Sequence, residues 1–340
     1  MSYLRSFLLS LIPLALLAAK EPPLVPHEKI EAELKSAEEE FKQAKKMFNP
    51  WYTGPLLTPS ASIVPPGSFN IQPYIFYTNN YGKFDGHGHS HDIPNLNNFN
   101  PQVIFQAGVL DFMSAIVVVQ GTRNTQRGKH STYWGDSSVS LGFVLLKEGP
   151  YRPALLFSVG ETFPTGRYQH LNPKKGGIDA TGMGSYQTKF SLNLGKVIWW
   201  VTTHPMNVRL SLNYIYPALV TVHDFNAYGG GHGTHGKVRP GQGFQGDIGY
   251  EYSFTQRWVF ALDAVYTYNN NTTFSGHKGF SAPGVPAAVG GPFNDQLSFA
   301  PAIEYNWNEN LGVVAGAWFT VWGRNSLNFF SGVFSVEYTF

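Results

Sequence analysis

Two histidine-rich stretches stand out in this chain of 340 residues: His87-Gly88-His89-Ser90-His91, followed by Asp92, and His232-Gly233-Thr234-His235. Imidazoles two or three residues apart on glycine-rich segments suit Zn, Cu or Ni, and two such loops together offer four ligands. Loop-bound Zn or Cu on His87, His89, His91, His232 and His235 is therefore one expectation, and polar, histidine-bearing surface is the other. Enzyme chemistry finds less support. No Gly-x-Ser-x-Gly elbow occurs, His204 has no identifiable Ser partner, and Gly229 to Gly233 is glycine-rich without the Walker pattern. No catalytic residue is assigned, and the chain is read as a non-enzyme. Zero cysteines remove disulfides, Cys-based zinc sites, Cys nucleophiles and a lipidated N-terminal Cys.

A second set of chemically capable residues comprises Lys189, Arg209, Asp247, Glu251, Asp263, Glu304 and Glu337. Each falls within a stretch where polar and apolar residues alternate, and each sits on the polar side. In Ser185 to Gly195 one face reads Tyr186, Thr188, Phe190, Leu192 and Leu194, and the other Gln187, Lys189, Ser191, Asn193 and Gly195. In Gly243 to Phe254, Phe244, Ile248, Tyr250, Tyr252 and Phe254 oppose Gln245, Asp247, Gly249, Glu251 and Ser253. A period of two is that of a strand. A Lys or Arg on a lipid-facing position costs about 2 to 4 kcal/mol at mid-membrane, so charges confined to the other face point to a sheet whose greasy side meets lipid. The seven charged residues are then expected to line a lumen, basic on one wall and acidic on the other. Such a division sets up a field across a narrow pore; the same groups paired inside a filled barrel would only stabilise it.

Composition agrees with this reading. Aromatic residues reach 15% and charged residues only 14%, with a mean hydropathy of −0.17 and no apolar run long enough for a membrane helix beyond the N-terminus. The 24 basic and 22 acidic residues nearly cancel, which leaves no electrostatic footprint for nucleic acid. Between Ser68 and Phe340 about twelve segments of about ten residues follow one another, the length of a tilted membrane strand. Long polar stretches (Gly82 to Phe99, Thr122 to Gly135, Thr165 to Gly184, Ala218 to Gln242, Asn270 to Asn294) alternate with short ones, as outer loops alternate with periplasmic turns. The last hairpin, near Gly323 to Ser326, is short where a long one was due. The expected fold is an all-β, antiparallel up-and-down barrel over residues 67–340. Val336, Tyr338 and the terminal Phe340 form an alternating aromatic end that resembles the signal read by the outer-membrane barrel assembly machinery.

Two elements precede the barrel. Arg5, apolar Phe7 to Leu17 and Ala18-Ala19 follow the order of a secretory signal, so residues 1–19 are expected to be a signal peptide; Leu17 is a poor fit to the cleavage site, and an uncleaved anchor is the alternative. Within residues 20–66, Ile30, Leu34, Ala37, Phe41, Ala44 and Phe48 recur at helical spacing between His27 and Phe48, with Glu31/Lys35 and Glu38/Lys42 at i,i+4. This predicts an amphipathic periplasmic helix, either a solvated spacer or a short coiled coil between copies of the chain. Trp51 to Gly67, rich in Pro and Gly, reads as a linker.

Gly135-Asp136, the strand Val139-Ser140-Leu141-Gly142-Phe143, Pro153-Ala154-Leu155 and Phe163-Pro164-Thr165-Gly166 resemble the outer-membrane transporter family named for the MetA pathway of phenol degradation. The resemblance covers about a third of the chain and leaves out the helix. It implies a barrel in the outer membrane of a Gram-negative bacterium that passes small, apolar or aromatic solutes. The alternative is a surface-exposed structural, adhesive or metal-binding barrel in which the long loops are the working part.

Overall fold

The computed structural model describes residues 26–47, 50–199 and 204–340. The expected signal peptide and Phe48 lie outside these residues. Twelve antiparallel strands form a closed barrel: β1 (Phe69–Phe84), β2 (Ser90–Leu110), β3 (Met113–Gln126), β4 (Ser137–Leu146), β5 (Ala154–Phe163), β6 (Gln187–Ile198), β7 (Met206–Pro217), β8 (Gly243–Ser253), β9 (Trp258–Asn269), β10 (Asn294–Asn306), β11 (Leu311–Arg324) and β12 (Leu327–Thr339). Each pairs with its chain neighbour, and β12 returns to β1 in register from Asn70↔Thr339 to Lys83↔Leu327. Closure leaves no unpaired edge, which hydrocarbon requires because no water is present to satisfy free backbone groups.

The faces follow the alternation. Asp247, Glu251, Asp263 and Glu304 are at most 1% exposed, whereas Ile248, Tyr214, Phe334 and Tyr338 are 43 to 54% exposed. Polar groups therefore look inward and apolar groups outward, the reverse of a soluble sandwich and the arrangement of a barrel in the Gram-negative outer membrane. Among the described residues no helix is long and apolar enough to cross a membrane; the strands cross it. At the seam, the Phe340 and Phe69 amides each donate to the other's carbonyl at 2.8 Å, and their rings stack at 6.0 Å.

Several stretches expected as loops are paired strands. β1 and β2 continue beyond the rim as a hairpin turning at Asp85 to His89, and β3 continues into a strand Lys129–Trp134. Val220–His223 and His235–Arg239, between β7 and β8, and Thr273–His277, between β9 and β10, form a second, three-stranded sheet outside the barrel. Its hidden face packs Val220, Val222, Val238 and Tyr228 together. Asn, Gly and His disguise these strands in the sequence because strand preference depends on what a side chain packs against.

The helix His27–Met47 forms where the spacing places it, with Ile30 and Leu34 exposed. Lys196 on β6 sits 4.9 Å over the Phe41 ring. The Gly-Asp and Pro-Thr-Gly motifs meet on adjacent strands at one rim. Asp136 accepts the amides of Gly166 (2.9 Å) and Met183 (2.8 Å), while the Thr165 hydroxyl donates to the Gly135 carbonyl at 2.7 Å. The short motif is thus a knot that ties the long 164–184 segment to the barrel.

Candidate functional site

The segment read as a linker enters the lumen. Its amides find carboxylates on the acidic wall: Thr53 and Gly54 donate to Glu304 Oε2 at 2.9 and 3.2 Å, and Leu57 and Thr58 donate to Asp263 at 3.2 and 2.9 Å. The Thr58 hydroxyl adds a bond of 2.6 Å to Asp263. Asn306 donates to the Trp51 carbonyl at 3.0 Å, and the Thr53 hydroxyl donates to Asn306 Oδ1 at 2.9 Å. An irregular segment cannot pair its own backbone, so inside a barrel its amides need acceptors from the wall. Glu304 and Asp263 supply them.

Glycines make room for this fit. A Cβ on Gly312 would lie 2.0 Å from the Thr53 hydroxyl oxygen, and one on Gly249 would lie 2.9 Å from Thr58 Cβ. Gly54, at φ 104°, passes so close to the Arg209 guanidinium that a Cβ would lie 3.0 Å from Nη1. Arg209 is itself locked by Glu251, through Nε to Oε2 at 2.8 Å and Nη2 to Oε1 at 3.1 Å, and Asn207 also donates to Glu251 at 2.7 Å. Charged residues on the paired strands β7 and β8 are thus joined in a fork-to-fork pair under the plug.

The other candidate luminal residues lie around this centre. Asp247 accepts Gln245 Nε2 at 2.9 Å and Asn213 Nδ2 at 3.2 Å; Glu337 accepts Asn70 Nδ2 at 2.6 Å. Lys189 faces inward on β6 and is exposed, so it projects into open lumen. Toward the outer end, Arg324 grips Asp295 with Nη2 to Oδ2 at 2.5 Å.

The adjoining strands β11, β12 and β1 present a different inward chemistry. Tyr74 and Phe76 stack at 5.5 Å, Trp318 meets Phe76 at 6.4 Å and Phe329 at 4.8 Å, and the Trp318 indole donates to the Ser298 hydroxyl at 2.9 Å. Leu56 of the plug is buried against Tyr74, Val314 and Val333 of these strands and against the small Ala261, Ala300 and Ala302 of β9 and β10. Sequence reasoning missed this aromatic wall because β1 and β12 carry large apolar residues on both faces. On β12 the inward residues are Phe329, Ser331, Val333 and Ser335, and Val333 packs against Leu56 of the plug.

The two histidine clusters occupy different parts of the outer surface. The first is a turn organised by Asp85, which spacing alone did not single out. Asp85 Oδ1 accepts the amides of His87 (2.8 Å) and His89 (3.0 Å), and Oδ2 lies 3.2 Å from His91 Nε2. The His89 amide, followed by the His91 imidazole and the His87 amide, holds this carboxyl well below the usual carboxylate range. This turn leans on the β11–β12 turn through an Asn325 amide bond to the Asp85 carbonyl at 3.0 Å. In the second cluster His232 exchanges backbone bonds with Phe280, whereas His235 lies in the three-stranded sheet.

No family model matches the chain, and no curated protein matches it. Among solved structures, the COG4313 outer membrane channel from Pseudomonas putida F1 superposes with a TM-score of 0.64 over 83% of this chain and 98% of the channel, at 12% identity. The NanC porin aligns at 12% identity over 79% of this chain and 98% of the porin, with a TM-score of 0.42. The translocator domain of the autotransporter NalP from Neisseria meningitidis aligns at 11% identity over 92% of this chain and 97% of that domain, with a TM-score of 0.44. The first of these shares the barrel fold with this chain.

Proposed function

We propose that this barrel is an outer-membrane channel for small solutes with an apolar or aromatic part, and that residues 50–66 form its plug. The observation that carries the reading is the two-sided lumen. The partly exposed rings of Phe76 and Trp318, backed by Tyr74 and Phe329, lie on β1 and β11, and exposed Lys189 lies on β6, about half-way round the barrel. A solute with a ring and a polar end finds a partner on each side, as small-molecule sites pair apolar linings with a few placed polar groups. Plug seating is compatible with passage because hydrogen bonds exchange with water at a net cost of about 0.5–1.5 kcal/mol each, or about 1.5–3 for those to charged groups. The resemblance to the MetA-pathway transporters favours the same solute class, and the barrel shared with the COG4313 outer membrane channel favours a channel. The outward aromatic end of β12 supports delivery by the barrel assembly machinery.

The test is uptake into liposomes carrying the purified barrel, with sugars, amino acids, fatty acids and small aromatics as the panel. Faster entry of phenylalanine than of glutamine is expected. Equal rates for all solutes, or no uptake above empty liposomes, would remove the channel reading or its selectivity.

A further inference from the structure

Four of the eleven histidines meet in one place although they come from four separate segments. In the three-stranded sheet outside the barrel, His235 pairs directly with His223 on one side and with His277 on the other. Residues directly opposite in an antiparallel sheet share a face. Val222 and Val238 point to the hidden face, which leaves the three imidazoles in a row on the open one. His170, from the 164–184 segment, lays its ring parallel to that of His223 at 5.9 Å, and His235 stacks on His277 at 5.4 Å. All four are exposed to water.

Hydrogen bonding fixes how these rings carry their protons. Nδ1 of His235 and of His277 lie 3.3 and 3.0 Å from the Gly233 carbonyl oxygen, and Nδ1 of His170 lies 3.4 Å from an Asp224 carboxylate oxygen. A carbonyl only accepts, so Nδ1 must donate, and in the neutral ring the lone pair is then on Nε2. That is the tautomer metal-bound histidine adopts, with the second nitrogen tied to a carbonyl or a carboxylate. As placed, the rings stack, and among the described residues no three His, Cys, Asp or Glu side chains converge on one point. The change needed is small. Cross-strand neighbours have Cβ atoms about 4.5–5.5 Å apart, which puts His223 and His277 about 10 Å apart on either side of His235; tetrahedral Zn with Zn–N bonds of about 2.0–2.1 Å requires ligand nitrogens about 3.3 Å apart, and the outer rings reach that by leaning toward the central one. Rotation of exposed rings about their side-chain bonds covers that difference without moving a strand.

We propose that His223, His235 and His277, with His170 as a fourth imidazole, form a Zn2+- or Cu2+-binding site on the outer crown of the barrel. All-nitrogen ligation suits these borderline ions and not Mg2+ or Ca2+. Because His170 belongs to a different segment from the other three, a bound ion would pin the 164–184 segment to the sheet. This inference is independent of the channel reading.

The experiment is calorimetric titration of the full-length, untagged barrel in detergent micelles with ZnCl2 and with CuCl2. Wild type is expected to bind one equivalent. His235→Ala/His277→Ala is expected to weaken binding at least about tenfold, since loss of even a supporting partner of a ligand costs about 10- to 100-fold. His87→Ala/His89→Ala/His91→Ala is expected to leave it unchanged. Heat-modifiable migration on gels checks that each variant is folded, and nitrogen hyperfine structure in the Cu2+ spectrum reports imidazole ligation. No binding of either ion by wild type, equal affinity in the His235/His277 variant, or loss of binding in the His87/His89/His91 variant would each overturn the proposal.

Discussion

The wall from β6 to β10 and the adjoining wall of β11, β12 and β1 line one lumen with different chemistry. On the first, every inward carboxylate singled out is matched to a specific partner, Glu251 to Arg209, Asp263 and Glu304 to plug amides, Asp247 to Gln245 and Asn213, and Lys189 stands in the open lumen. On the second, Trp318 and its neighbours offer ring faces, and Leu56 of the plug is the apolar piece they cover. The plug is therefore bonded on one side and greased on the other. A segment held in this way can be released by weakening directional bonds without unfolding the barrel, whose strands are tied by backbone ladders.

The largest effect should come from the bonded wall. Asp263→Ala/Glu304→Ala removes five hydrogen bonds to the plug. Even about 4 kcal/mol of that loss shifts the seated-to-free ratio about a thousandfold. Chymotrypsin should then cut at Leu56 or Leu57, while the barrel remains folded; a plug as resistant as in wild type would mean that the apolar wall alone holds it.

The next effect concerns the outside of the same strands. Ile248→Arg should cost about 2–4 kcal/mol of stability in urea titrations from vesicles, whereas Lys189→Gln in the open lumen should change it by less than about 0.5 kcal/mol. Similar costs at both positions would mean that the assignment of faces is wrong.

Smaller still is the contribution of the aromatic wall. Trp318→Leu removes aromatic contacts worth about 0.5–1.5 kcal/mol each, so uptake of phenylalanine relative to glutamine should fall about two- to tenfold. An unchanged ratio would place selectivity elsewhere.

The smallest effect lies at the His87–His91 turn. The folded Asp85 carboxyl titrates below its ordinary value of 3.8, so its contribution to the turn is complete above that value and is lost only as pH falls further, through the folded value. Amide exchange at His87 and His89 should stay protected at pH 4.5 and lose protection in Asp85→Asn; equal exchange in both proteins would show that Asp85 does not hold the turn.

The barrel was legible in the sequence wherever one face is polar. In β8, Gln245, Asp247, Glu251 and Ser253 mark the inside without ambiguity, because charge on the lipid face is costly. β12 was harder, since Phe329 and Val333 on its inner face look like Phe330 and Phe334 on its outer one. Val333 is buried against Leu56, nearly three hundred positions away in sequence, and Phe329 packs on Trp318 of the neighbouring strand. The plug was hidden for a related reason. Proline and glycine between Trp51 and Gly67 report the absence of regular structure, not where an irregular segment goes. The one local hint was glycine at inward strand positions, Gly249 and Gly312, where a side chain would collide with the plug. The histidine row was missed because cross-strand register decides it: His223 and His277 stand alone in sequence and become neighbours of His235 only through pairing.

The claim that residues 50–66 gate the lumen is tested most directly by a reversible lock. The chain has no cysteine, and a Cβ at Gly249 would lie 2.9 Å from Thr58 Cβ, so a plug displaced outward by about 1 Å brings the two to the about 3.8 Å a disulfide spans. In planar bilayers, Thr58→Cys/Gly249→Cys should be silent when oxidised and should conduct when reduced. Equal conductance in both states, or none in either while the barrel is folded, would contradict the account.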